Sequence, residues 1–124
     1  VYSREGHCIT CHQPSGEGLP AAQFPPLAGS QWVTGSSERL TKLVLHGMTG
    51  PVEVKGTRYP GTVPMIPFKH LSDDEIAGVL TYIRNAFGHR ASVVTPAQVQ
   101  ATRKVTQKQT NFYTPEQLLQ EHPK

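Results

Sequence analysis

A chain of 124 residues, 36% of them hydrophobic, has room for one domain with a modest core, and eleven glycines and eleven prolines point to a loop-rich fold. The formal charge of +3 is spread over scattered basic residues, with no Lys/Arg run beyond Arg103-Lys104, so a nucleic-acid footprint is excluded. No run of about 18 apolar residues offers a transmembrane segment.

The first predicted element is a short helix over residues 1–12, slightly weakened at Gly6. Tyr2 either packs on a later helix or lies at a frayed surface end. The chain opens at Val1 already inside this helix and shows no signal peptide, which is the expectation for a processed protein or a domain cut from a longer one. The helix carries Cys8-Ile9-Thr10-Cys11-His12. Positions i and i+3 share a helix face, so the thiols of Cys8 and Cys11 can both add to vinyl groups along one edge of a porphyrin. From the next position His12 can turn beneath the ring and bind its iron.

Other uses of a C-x-x-C pair fit less well. A thioredoxin-like redox pair needs a βαβ context. A structural zinc site needs a second ligand pair, and the chain has only two cysteines. A disulfide between Cys8 and Cys11 would close a very small, strained loop. A haem also suits the composition: a large apolar body supplements a thin core, and two propionates offset most of the positive charge. Covalent haem attachment takes place outside the bacterial cytoplasmic membrane, which predicts a periplasmic location.

Residues 13–35 read as one long loop punctuated by Pro14, Gly16, Gly18, Pro20, Pro25, Pro26, Gly29 and Gly35. A loop this long in a compact domain usually wraps something, here the proximal side of the haem. An iron-ligating imidazole commonly donates its other N–H to a carbonyl, and that of Pro25 is the candidate. Leu27 and Trp32 are expected to wall the haem pocket. A helix over 36–46 follows, capped by Ser36 or Ser37, with Leu40, Leu43 and Val44 as its apolar stripe and Gly47 as its stop. In the irregular stretch 47–64, Val52, Val54 and a Gly56 turn form either a small hairpin or an extended loop over the haem edge. Arg58 and Tyr59 are candidate propionate partners.

Val63-Pro64-Met65-Ile66-Pro67-Phe68 comes next. A thioether needs no deprotonation to bind iron, and Met/His ligation raises a haem's reduction potential. Prolines on both sides would hold Met65 rigid, whereas Met48, the other methionine, lacks such framing. Phe68 is expected against the ring or a helix. The strongest helix pattern spans 72–88, opening on the capping box Ser72-Asp73-Asp74-Glu75. Its apolar face is Ile76, Val79, Leu80, Ile83 and Phe87, Gly88 is its stop, and Tyr82 is placed to meet the first helix. Two further start signals, Thr95-Pro96-Ala97-Gln98 and Thr114-Pro115-Glu116-Gln117, predict a helix over 95–109 with a thin face of Val99, Thr102 and Val105, and a last turn carrying Leu118 and Leu119. Residues 91–124 are thus expected as a helical extension, packed on a domain of residues 1–90 or tethering it.

Taken together, Cys8-x-x-Cys11-His12, Pro25-Pro26-Leu27-Ala28-Gly29, Met65-x-Pro67-Phe68 and Leu71-Ser72-Asp73-Asp74-Glu75-Ile76 with Leu80-Thr81-Tyr82-Ile83-Arg84 resemble the class I cytochrome c family. Within it the likeness is to bacterial monohaem c domains that serve dehydrogenases and reductases and are often fused to them. The resemblance covers residues 1–90 and extends loosely to 119. It implies an all-α class I cytochrome c fold, helices and long Gly/Pro-rich loops wrapped around one covalent haem c. Cys8 and Cys11 would be the thioether anchors, His12 the proximal ligand and Met65 the distal one. The implied work is one-electron transfer at an exposed haem edge, without substrate turnover, toward a redox partner protein or a fused enzyme domain. The sequence departs from the family pattern where Ile66 separates Met65 from Pro67, and where the first helix begins late.

Two other functions compete with the electron carrier. Were Met65 off the iron, an open distal site could bind peroxide or a diatomic gas, as an enzyme or a sensor, with His7, His46, His70 or His89 as acid/base groups. Alternatively the haem is structural, and residues 95–124 bind a partner.

Overall fold

The computed structural model describes residues 8, 12, 13, 16–18, 26–59, 65–109 and 111–122. Cys8 and His12 are both helical, while the rest of the predicted 1–12 helix, Cys11 and Pro25 lie outside the described residues. Five helices and one hairpin follow: α1 (Gln31–Thr34), α2 (Ser37–His46), β1 (Val52–Val54), β2 (Thr57–Tyr59), α3 (Asp73–Asn85), α4 (Pro96–Val105) and α5 (Pro115–Glu121). None of these helices is long and apolar enough to cross a membrane.

α2 is the hub, in contact with all four other helices. Ser36 caps it by accepting the Arg39 N–H, and Gly47 ends it by donating to the Leu43 carbonyl. The predicted stripe of Leu40, Leu43 and Val44 is buried. So are Arg39, Thr41, Lys42, Leu45 and His46, because α1 and the C-terminal segment cover what would otherwise be the polar side. The Arg39 guanidinium sits 4.8 Å from the Trp32 ring centroid and donates to the carbonyls of Gln31 and His122 at 3.2 and 3.0 Å. Lys42 Nζ meets Glu121 Oε1 at 2.8 Å.

The hairpin is present, pairing Val52 with Tyr59, Glu53 with Arg58 and Val54 with Thr57. Its two-residue turn, Lys55 at φ 54° and Gly56 at φ 78°, has the two positive φ values that match the twist of the strands. α3 carries the predicted capping box, with Ser72 Oγ accepting the Glu75 N–H and Glu75 Oε1 accepting the Ser72 N–H.

α3 stops three residues short of the predicted end. Ala86 is already extended and Phe87 has φ 57°, so Phe87 does not continue the apolar face of Ile76, Val79, Leu80 and Ile83. The reason is Arg84. Its buried guanidinium collects the carbonyls of Val33 and Gly35 at 2.8 and 2.9 Å and both the carbonyl and hydroxyl of Ser92 at 2.9 and 3.0 Å. The chain after Asn85 must fold back to bring Ser92 there, and burial pushes the Arg84 pKa down.

α4 likewise ends at Val105 rather than 109. Val105 is 71% exposed, and the inward position belongs to Thr106, which donates to the Thr102 carbonyl at 2.7 Å. The predicted loop over 13–35 contains the short α1, capped by Ser30 Oγ on the Trp32 N–H.

Residues 95–122 lie against the rest of the chain. Val99 and Leu118 are fully buried in the same core as Leu40, Ile76 and Leu80. α4 packs on α2 and α3, and α5 packs on α2.

Candidate haem site

Cys8, Leu27, Met48, Met65, Phe87 and Leu119 are apolar side chains packed against the core yet left partly open. Three of the six bear sulfur, and His12, which follows Cys8 by one helical turn, is half-buried. Thiol, imidazole and thioether are together a donor set that suits a covalent iron porphyrin.

The segment after His12 is built from tight turns. Gly18 N–H donates to the His12 carbonyl at 3.0 Å, and Gly16 N–H to the Gln13 carbonyl at 3.1 Å. The Gly16 carbonyl then accepts the N–H groups of both Leu27 and Ala28, at 2.7 and 3.0 Å. The loop therefore returns to Gly16, four residues after the histidine. His89 pins its far end: Nε2 accepts the Gly29 N–H at 2.8 Å, so Nδ1 carries the proton and donates to the Ile83 carbonyl at 2.9 Å. The Phe87 ring closes over Gly16, where an added Cβ would sit 2.9 Å from it.

Met65 is held quite differently. Its N–H donates to the Met48 carbonyl at 2.9 Å and its carbonyl accepts the Met48 N–H at 3.1 Å. In a mutually bonded antiparallel pair the two side chains lie on one face, so the thioethers of Met48 and Met65 are neighbours. Gly47 makes the approach possible. At φ 76° and ψ 174° it occupies a region open essentially to glycine alone, and a Cβ there would lie 2.5 Å from the Met65 carbonyl oxygen. Downstream, the Phe68 N–H donates to the Val44 carbonyl at 3.0 Å.

The remaining candidates fall as follows. Leu27 is half-buried on the returning loop. Phe68 is buried. Trp32 is also buried, and its indole N–H donates to the Glu53 carbonyl at 3.2 Å. It lines an open groove of about 450 Å³ between the hairpin and α5 that none of Cys8, His12 and Met65 lines. Tyr59 is buried on the inner face of β2, and Arg58 is exposed on the outer face.

The histidines weighed as acid/base groups are mostly committed elsewhere. His89 has both nitrogens engaged. His46 is buried and donates from Nε2 to Thr106 Oγ1 at 2.8 Å, with the Tyr113 ring edge-on at 5.7 Å. Its pKa is pushed down by burial and then by Lys69 and Arg103. His70 is exposed, its ring 5.9 Å from that of Phe68. His7 lies outside the described residues.

The family model for cytochrome c matches residues 1–87. The chain belongs to the cytochrome c family. It accordingly carries one covalent haem c and works by electron transfer. Among curated relatives, cytochrome c-552 of Thermus thermophilus is 39% identical over 123 residues, covering 94% of this chain and 89% of that protein. The cytochrome c subunit of the quinone-dependent alcohol dehydrogenase of Gluconacetobacter polyoxogenes is 36% identical over 99 residues, covering 77% of this chain but 20% of that subunit. The fructose dehydrogenase cytochrome subunit of Gluconobacter japonicus is 27% identical over 101 residues, covering 80% of this chain and 21% of that subunit. The fold is the mostly helical one expected for the family, with the small hairpin added.

Sequence reasoning missed the roles of Met48, His89 and Arg103. Met48 carries no local signal, since backbone pairing is blind to side-chain type. The Gly47 that reads as a helix stop was the available hint, because a glycine also permits close backbone approach.

Proposed function

We propose that this chain is a periplasmic one-electron carrier whose haem is anchored by Cys8 and Cys11 and ligated by His12 and Met65. The observation that supports the reading is the double backbone bond between Met65 and Met48, which fixes the backbone of a half-buried thioether residue packed against the core. Bound there, the haem supplies a reversible Fe(III)/Fe(II) step.

The chain's own residues hold and tune that group. The turn at Gly16–Gly18 and the returning Leu27–Gly29 loop orient His12 from the proximal side, with the Pro25 carbonyl as acceptor for the other imidazole N–H. Met65 would supply the second ligand, a soft, neutral donor that raises the potential. Leu27 and Phe68 would supply apolar surroundings that keep water away. With His12 and Met65 both committed to the iron, the chain would relay electrons rather than turn over a substrate. Residues 1–90 are the haem domain and 91–124 an extension packed on it. The names of the alcohol and fructose dehydrogenase subunits support a dehydrogenase as the electron-donating partner or fused neighbour.

Absorption spectra of the haem-loaded chain, oxidised and dithionite-reduced, test this. Wild type should be low-spin in both states and show the weak methionine–iron charge-transfer band when oxidised, and Met65→Ala should lose that band and bind exogenous ligand. A high-spin wild type would instead establish an open distal site.

A further inference from the structure

Gly47–Thr49 is the middle of three extended segments. Met65 pairs with one edge, through Met48. The C-terminal segment takes the other edge: Tyr113 N–H donates to the Gly47 carbonyl at 3.1 Å, and Thr49 N–H donates to the Tyr113 carbonyl at 2.9 Å. The next side chain, Phe112, lies against the same Gly47, where an added Cβ would sit 2.7 Å from its ring.

The C-terminal segment also grips the chain just past Met65. Arg103 Nε meets Asp73 Oδ1 at 2.6 Å, Nη1 donates to the Lys69 carbonyl at 2.9 Å, and Nη2 donates to the Leu71 carbonyl. Lys69 Nζ returns a bond to the Gln109 carbonyl at 3.1 Å. His46, adjoining the middle segment, is held from the same side by Thr106 and Tyr113. Tyr113 thus bonds to Gly47 and Thr49, on either side of the backbone partner of Met65, while Arg103 and Gln109 bond to residues 69–73.

We propose that residues 103–113 form a brace that positions Met65 and sets how firmly its thioether stays on the iron. This rests on Met65 being the distal ligand. A thioether–iron bond is broken readily if the methionine's backbone can drift, because no covalent tether holds it as the thioether links hold Cys8 and Cys11. Arg103 and Phe112 are positioning residues here: neither touches the iron, and each acts through backbone that leads to Met65.

The test titrates imidazole into the oxidised, haem-loaded protein while following the methionine–iron band, and records reduction potential and urea stability for each variant. Phe112 is 37% exposed, so Phe112→Ala keeps the fold. Arg103→Met removes the grip on 69–73. Lys42→Met is the control, since it releases Glu121 and loosens α5 without touching the brace. Phe112→Ala and Arg103→Met should each tighten imidazole binding about tenfold and lower the potential, while Lys42→Met stays within about twofold of wild type. Wild-type imidazole affinity in both brace variants would overturn the proposal, as would equal opening of the site by Lys42→Met. If Met65→Ala keeps the wild-type band, the distal assignment itself falls and the brace with it, an outcome distinct from a failed brace on an intact ligand.

Discussion

Around His12 the chain is held by short local turns, a loop that folds back onto Gly16, and one histidine, His89, bonded to the loop's far end. Around Met65 the anchors come from far along the chain: Met48, Val44 and, one layer out, Arg103 and Tyr113. The two sides face different problems. In the proposed site a histidine beside two thioether bonds would be tethered to the porphyrin through its own backbone, and the protein would need only to orient it. A methionine more than fifty residues away has no such tether, and the fold must supply its position. The expectation is a proximal side tolerant of small changes and a distal side that is not.

Gly47→Ala attacks the distal side most sharply. The new Cβ meets the Met65 carbonyl, which is backbone and cannot swing away, in a conformation open to glycine alone. It should cost about 3 kcal/mol of unfolding free energy in a urea titration, and should weaken the methionine–iron band. His89→Phe attacks the proximal loop by leaving the Gly29 N–H and the Ile83 carbonyl without partners. A loss of about 1.5 kcal/mol is expected, together with faster amide exchange at Gly29 and an unchanged methionine–iron band. Gly16→Ala is the proximal counterpart of Gly47→Ala. At φ 71° the nearest atoms to its Cβ belong to the Phe87 ring, a side chain that can shift, and about 1 kcal/mol should be lost. Equal costs at Gly16 and Gly47 would erase the contrast.

A pH series sharpens the distal half further. The charged or titratable groups bearing on buried His46 are Lys69 and Arg103, which together with burial hold its pKa down, and Tyr113, whose ring it touches. The unfolded chain takes up this proton near pH 6.5 and the folded chain only at lower pH. Between the two values the unfolded state binds more protons, so stability is full above 6.5 and falls as pH drops below it. His46→Gln should flatten that part of the urea-midpoint profile, and an identical profile in the variant would contradict the assignment.

Much of this architecture was readable from local chemistry. The haem motif, both capping boxes, the Gly56 hairpin and the apolar stripe of α2 each follow from a few adjacent residues. What local chemistry does not encode is which distant segment covers a helix. α2 reads as amphipathic because Arg39, Thr41 and Lys42 are polar, yet the chain buries them under its own C-terminus by giving Arg39 the His122 carbonyl and Lys42 the Glu121 carboxylate. The early end of α3 has the same origin, since the Arg84 guanidinium draws on Ser92 and on α1 across the fold. Met65 stood out in sequence by its flanking prolines. Its backbone partner did not, and neither did Tyr113, which pairs with that partner from the other side.

The account turns on which sulfur faces the iron, and Met48 and Met65 are neighbours on one face. The direct measurement is a methyl ¹H–¹³C spectrum of the reduced, haem-loaded protein carrying ¹³C-methyl methionine. The chain has two methionines, so two signals are expected, and ring current shifts an axial ligand's methyl far upfield. The shifted signal should vanish in Met65→Ala and persist in Met48→Leu. Its loss in Met48→Leu alone, or the absence of any upfield methyl in wild type, would contradict the His12/Met65 electron carrier.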